Sequence, residues 1–206
     1  MPDQTPDAPR GEARRAQILA AAAECFRLHG FHGSSIAQIS KVAGMSAGHI
    51  YHYFENKEAI IAGIVAQDLD RLLTLTRELR SASDVRSAMV ERAVEGVEDN
   101  LDPGAAALQL EIVAEAARNT GVAEIVRAAD QQCRASLAET LRTVRTAAGH
   151  ADSDATLAGM VEALAAMFEG LQVRTIRNPE LDRDAVTRVF RQMIHDLLTC
   201  APARDA

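Results

Sequence analysis

Four of the six histidines lie in two pairs with the spacing His-x-x-His: His29 with His32, and His49 with His52. Residues three apart share a helix face, so each pair could supply two imidazole ligands to a metal ion. A stable site needs further ligands, and no cysteine or carboxylate cluster stands beside either pair. We interpret these imidazoles as surface groups, and we predict no metal and no cofactor.

The common signatures of enzymes do not occur in this sequence. We find no Gly-rich phosphate loop, no Gly-x-Ser-x-Gly, no His-Glu-x-x-His and no Cys-x-x-Cys. The three cysteines, Cys25, Cys133 and Cys200, are odd in number and far apart, which favours reduced thiols in a cytoplasm. We therefore expect no catalytic residues and a cytoplasmic protein that is not an enzyme.

The stretch from Ser35 to Lys57 must position the second histidine pair. Ser35 and Gln38 have the spacing of a capping box, which predicts the start of a short helix. Gly44 favours the end of that helix, and Ser46 can cap another. Two short helices joined by a three-residue turn with glycine are typical of the helix-turn-helix, whose second helix enters the major groove of DNA.

The second helix, from Ala47 to about Tyr53, has a face suited to DNA. Ala47 and Gly48 are small, so the backbone can come close to base edges, and the free N–H groups at this end favour phosphate. Ile50 and Phe54 are expected to face the core. The side chains that then point outward are His49, Tyr51 and His52.

The segment AGMSAGHIYHYFENKEAI resembles the signature of the TetR family of bacterial transcriptional regulators, and residues 14–64 resemble that family's whole DNA-binding domain. The resemblance implies one set of residues at phosphates or the groove edge and another near the bases. The first set is Ser35, Ser46, Tyr51, His52 and Lys57, and the second is Ala47, Gly48 and His49.

The charge of the chain is unevenly distributed. The net charge is −7, yet the first 60 residues hold six basic and six acidic residues, so the acidity belongs to the remainder. This is not the strongly basic footprint expected of a DNA-binding domain. Arg10, Arg14 and Arg15 form a small basic run that is either a solvated helix start or a phosphate contact, and Arg14 is our candidate for the contact.

The rest of the sequence predicts an all-α protein of about nine helices, because aromatics are scarce at 3% and no strand-like alternation occurs. No apolar run approaches the roughly 18 residues of a membrane span. We divide the chain into a flexible N-terminal arm (1–9), a helix-turn-helix domain (10–56) and a regulatory, ligand-binding and dimerisation domain (57–206). The last residues, 201–206, are expected to fray.

The last two predicted helices are apolar on more than one side, and α-helical pairs of this kind are either buried or form a dimer interface. The family habit favours a homodimer built as a four-helix bundle. The predicted interface residues are Leu157, Val161, Leu164, Phe168, Val189, Met193 and Leu197.

The resemblance also implies a ligand cavity among the middle helices. Its candidate apolar wall comprises Met89, Leu108, Ile112, Ile125, Met167 and Phe168. Glu111 and Glu115 stand four residues apart and form either a charged pocket wall or, as we favour, a solvated acidic face. The leading interpretation is a homodimeric repressor that a small hydrophobic or amphipathic ligand releases from a palindromic operator. The alternative is a DNA-binding regulator controlled by a partner protein.

Overall fold

Helices account for nearly all of residues 8–200, the part of the chain that the computed structural model describes. Within this range there are nine helices and no strand, which confirms the all-α prediction. They are α1 (Ala8–Gly33), α2 (Ile36–Ala43), α3 (Ala47–Tyr53), α4 (Lys57–Ser81), α5 (Val85–Asn100), α6 (Pro103–Ala116), α7 (Thr120–Ala147), α8 (Asp154–Arg177) and α9 (Arg183–Thr199). Residues 1–7 of the predicted arm and the predicted tail, 201–206, lie outside the described residues. The last two residues of the predicted arm begin α1.

The helices form two compact units. Unit 1 comprises the chain as far as Gln67 together with Leu108–Val126, and unit 2 comprises Asp68–Ala107 and the chain from Arg127 onward. The division at residue 57 that the sequence suggested would place the whole of α6 and α7 in the second domain. Instead α4, α6 and α7 each contribute residues to both units.

Unit 1 has a core to which all its helices contribute. Its residues include Ile18, Leu19, Ala22 and Phe26 of α1, Ile39 of α2, Ile50 of α3, Ile60 and Ile61 of α4, Ile112 of α6 and Val122 of α7. Each is at most 3% exposed. The segments of α6 and α7 therefore share one core with the helix-turn-helix, which local sequence patterns could not predict.

Unit 2 has a core of residues from α5, α7, α8 and α9, which corrects part of the predicted dimer interface. Leu157, Val161 and Leu164 are 1%, 2% and 3% exposed. They pack within the core of their own chain, so they are not available to a second copy. Helix α8 is long and apolar enough by composition to cross a membrane, but these three residues of α8 belong to the core of this unit.

The loop between α7 and α8 is joined to the end of α9 by a buried arginine. The Arg145 side chain is 1% exposed and makes a two-point ion pair with Asp152, in which Nη2 lies 3.0 Å from Oδ1. Its Nη1 also donates to the carbonyl oxygens of Leu197 and Cys200, the second at 3.1 Å. A cation at the carbonyl end of a helix is favourable, so Arg145 stabilises the end of α9.

Replacement of Asp152 is expected to destabilise the protein in a pH-dependent way. The hydrogen bonds from Arg145 lower the pKa of the Asp152 carboxyl from its ordinary 3.8, despite the opposing effect of burial. The ionised pair therefore stabilises the fold fully above pH 3.8, and its contribution is lost as the pH falls through the lowered pKa. Asp152→Asn should lower the free energy of unfolding by about 3 kcal/mol at neutral pH, and by progressively less in acid.

Urea denaturation of the wild type and of Asp152→Asn, from neutral pH into acid, measures the difference in their free energies of unfolding. Asp154→Asn is the matched control, because Asp154 also accepts from an arginine, Arg142, but its side chain is 92% exposed. Loss of such a surface pair costs less than about 1 kcal/mol. If Asp152→Asn and Asp154→Asn lower the free energy of unfolding equally, burial does not make the Arg145–Asp152 pair more stabilising than a surface pair.

Candidate nucleic-acid interface

The two helices of the candidate interface begin and end at the predicted caps. The Ser35 hydroxyl accepts from the Gln38 N–H at 3.2 Å, and Gln38 Oε1 accepts from the Ser35 N–H at 2.7 Å. Gly44 ends α2 with φ 64°, a left-handed conformation that favours glycine. The Ser46 hydroxyl then accepts from the His49 N–H at 3.2 Å and starts α3. The capping box and both boundaries are confirmed.

Helix α3 presents its candidate DNA-contacting residues to solvent. Ile50 and Phe54 are 0% and 3% exposed, which fixes the inner face of the helix. Tyr51 is 54% exposed. The surroundings of Gly48 are so open that an added Cβ would meet no atom within 4 Å beyond its chain neighbours and the helix's own backbone. His49, His52 and Ser46 are also exposed, and Ala47 is half-buried. The surface geometry is what a helix that enters a groove requires.

Tyr53 stands between the two histidines of α3. Its ring centroid lies 5.4 Å from that of His49 and 5.1 Å from that of His52, with edge-on geometry in both pairs. The Tyr53 ring thus packs against both imidazoles. In residues 8–200 no three His, Cys, Asp or Glu side chains are grouped so that they could hold a metal ion.

Two basic residues of α1 contact neighbouring side chains. Arg14 Nη1 donates to Gln17 Oε1 at 3.1 Å, and Gln17 Nε2 donates to the Ala43 carbonyl at 2.8 Å, near the end of α2. The Arg15 guanidinium lies 4.4 Å from the ring centroid of Phe54. Arg14 therefore remains exposed but is oriented, whereas Arg15 packs partly on an aromatic face.

Lys57 requires a correction, because we predicted it as a phosphate contact. Its Nζ donates to the carbonyl oxygens of Phe31 at 2.7 Å and Ser34 at 2.9 Å, and it lies 4.3 Å from the ring centroid of Phe31. Two of the three ammonium donors are thus used within the protein. Lys57 joins the start of α4 to the turn between α1 and α2, a role the sequence did not indicate.

Glu111 and Glu115 are also corrected, since they form neither a solvated face nor the wall of a pocket. Glu111 Oε1 accepts from the backbone N–H of Phe31 at 2.6 Å. The Glu115 side chain is 2% exposed and lies 3.0 Å from Nε2 of His32. The carboxylates thus contact the end of α1, which no local pattern in the sequence indicated.

The other predicted ligand residues are divided between the two units. Leu108, Ile112 and Ile125 belong to unit 1, whereas Met89, Met167 and Phe168 belong to unit 2. Phe168 packs against Phe190, with ring centroids 5.8 Å apart, so it is a core residue. A cavity of about 300 Å³ lies at the α7–α8 loop. Its lining includes Arg142, Arg145, His150 and Asp152, none of them a predicted ligand residue.

A helix-turn-helix with capped helices and an outward, unobstructed second helix defines a DNA-binding protein. Comparison with protein families gives the same class. Residues 18–64 match "Bacterial regulatory proteins, tetR family" and residues 86–199 match "BetI-type transcriptional repressor, C-terminal". The chain belongs to the TetR family of bacterial transcriptional regulators, and it is a regulator and not an enzyme.

Individual relatives are consistent with this assignment. The transcriptional regulator UidR of Escherichia coli K12 is 39% identical over 113 residues, which are 55% of this chain and 57% of UidR. The chain thus spans little more than half the length of this curated relative. The structure of Salmonella enterica GusR is 31% identical, with 91% of this chain and 96% of GusR covered and a TM-score of 0.74.

A more distant structure shows the fold alone. FadR from Bacillus subtilis, solved in complex with stearoyl-CoA, is 18% identical, with 91% of this chain and 99% of FadR covered and a TM-score of 0.71.

Proposed function

We propose that the protein is a homodimeric repressor that acts in the cytoplasm and binds a palindromic operator through α3. The observation that carries the proposal is the geometry of α3, whose N-terminus is capped by Ser46 and whose outer surface at Gly48 is open. The match of residues 86–199 to the C-terminal domain of a transcriptional repressor supports repression. Base contact is assigned to Ala47, Gly48 and His49, as the resemblance implies. Contact with the DNA backbone is assigned to Ser35, Ser46, Tyr51 and His52.

The proposed dimer surface consists of a small-residue stripe on α8 and two apolar residues on α9. The stripe comprises Gly159, Ala163, Ala166 and Gly170, which are all exposed. A Cβ added at either glycine would meet no atom within 4 Å. On α9, Val189 and Met193 are 56% and 46% exposed. Small residues allow close approach of helices, so a second copy of this helix pair fits the surface as a four-helix bundle.

Two-fold symmetry of the protein makes a specific demand on its DNA. Selection of bound sequences from a random pool should enrich a palindrome with half-sites separated by about one or more helical turns. Enrichment of a single, non-repeated half-site would contradict the dimer, and no enrichment at all would contradict specific binding. Binding should also weaken steeply with added salt, because phosphate contacts release counterions.

Release by a small hydrophobic or amphipathic ligand is the second part of the proposal. The FadR structure shows that a protein of this fold holds stearoyl-CoA. Because Glu111 and Glu115 contact α1, they give no support to a cationic ligand. Ligand and operator should weaken each other's binding by the same factor, usually about 5- to 150-fold.

Calorimetric titration of an apolar compound panel, with and without operator, tests this part. A compound bound equally well in both conditions would not be an inducer. Failure of the whole panel would favour control by a partner protein.

A further inference from the structure

Helix α1 is interrupted one turn before its end. Gly30 has φ 72° and ψ 168°, a conformation essentially restricted to glycine. The bend changes the direction of the chain just before α2. The Ser34 hydroxyl, on a residue only 1% exposed, donates to the Gly30 carbonyl at 2.8 Å, and Ser35 then begins the cap of α2.

The bend is held by a carboxylate of α6. The N–H of Phe31, the residue after the bend, donates to Glu111 Oε1 at 2.6 Å. An added Cβ at Gly30 would lie 3.1 Å from the same oxygen, so the carboxylate sits directly against the bend. One turn further along α6, Glu115 contacts His32 and also accepts from Asn119 Nδ2 at 3.2 Å. Two consecutive turns of α6 therefore contact two consecutive residues of the bend.

The same bend is held from α4. Lys57 donates to the carbonyls of Phe31 and Ser34, so the N–H of Phe31 is bound by α6 and its carbonyl by α4. Ser35, the cap of α2, follows at once, and the Gly44–Ser46 turn leads to α3. The direction in which α2 and α3 leave α1 depends on Phe31, because these two side chains hold its N–H and its carbonyl.

We propose that Glu111 is a positioning residue for operator binding: by accepting the Phe31 N–H it sets the bend that orients α2 and α3. This inference rests on the proposed function. Without the acceptor, a buried donor is left unpaired and the bend can relax. Specific binding requires α3 at one angle in the groove, whereas non-specific phosphate contact tolerates a range of angles. Loss of Glu111 should therefore reduce affinity for the operator more than affinity for random DNA.

The test compares Glu111→Ala with Glu111→Gln by fluorescence anisotropy on operator and random duplexes. Alanine should weaken operator binding by about tenfold, the scale of one unmet buried donor, with affinity for random DNA within about twofold. Glutamine keeps an oxygen that can accept the Phe31 N–H, so operator affinity should stay within about threefold. Glu124→Ala is the charge-matched control, since Glu124 is an exposed carboxylate of α7 in the same unit.

Hydrogen exchange of the Phe31 amide, measured without DNA, provides an independent readout. Exchange should be fast in Glu111→Ala and slow in the wild type and Glu111→Gln, while the amides of α1 before the bend stay protected. If alanine prevents folding, Glu111→Asp replaces it, because the shorter side chain keeps the charge but cannot reach Phe31.

Operator affinity of Glu111→Ala equal to that of Glu124→Ala would overturn the proposal. So would equal losses on operator and random DNA, which would indicate a general structural role. A wild type that selects no operator would contradict the proposed function instead, and exchange at Phe31 would still report whether Glu111 holds the bend.

Discussion

Substitution of Gly48 by leucine is expected to remove specific operator binding and leave the protein folded. No atom lies within 4 Å of a Cβ added at this position, and leucine favours helix more than glycine does. The side chain would project from the start of α3, where the backbone must approach the base edges. Affinity should fall by about a thousandfold, to the level of non-specific binding, because such a gap usually separates the two modes.

Two further variants are needed to interpret the result for Gly48→Leu. Gly48→Ala adds one methyl group and should cost far less. Tyr51→Ala removes a predicted phosphate contact and should weaken binding to operator and random DNA alike, because a phosphate carries no base information. A folded Gly48→Leu protein with wild-type operator affinity would contradict the orientation we assign to α3.

A glutamate at Val189 is expected to dissociate the dimer. Val189 is 56% exposed on α9, so the substitution does not disturb the core of its own chain. Two-fold symmetry places the new carboxylate in the interface twice, and an unpaired charge that loses water there costs several kcal/mol. The dissociation constant of the dimer should rise by more than about a thousandfold, which sedimentation at micromolar concentration can measure.

The control for Val189→Glu is Val113→Glu on α6, which makes the same chemical change at a residue that is 57% exposed. It should leave association unchanged. If Val189→Glu stays a dimer, or if the wild type is monomeric at micromolar concentration, the proposed surface is wrong. Leu164→Asp cannot serve as a test, because Leu164 is 3% exposed in the core and the substitution should unfold the chain.

The sequence by itself determined the local structure of the helix-turn-helix. Ser35, Gln38, Gly44 and Ser46 act on backbone groups within a few residues, so their spacing was sufficient to place both helices. The family likewise followed from one contiguous segment. The inner face of α3 was predictable because Ile50 and Phe54 recur at helical spacing.

Only the tertiary structure decided which surfaces of the apolar helices are free. A periodic stripe shows that a helix buries one face, but it does not show what covers that face. The stripe of Leu157, Val161 and Leu164 is covered by the chain's own helices, whereas Val189 and Met193 remain exposed. Both sets consist of apolar residues at helical spacing, so the sequence did not show that one set is buried and the other exposed.

Tertiary structure alone also assigned the partners of two half-buried charges. Glu111 lies 80 residues from Phe31 and Lys57 lies 26, so no local rule connects them, and each was interpreted as a surface charge or a site residue. A carboxylate or an ammonium is seldom buried without a partner. The partners here are backbone groups, which every residue carries and which no sequence pattern marks. After the bend at Gly30, backbone groups of Phe31 and Ser34 are positioned to bind side chains. Their positions decide where Glu111 and Lys57 bind.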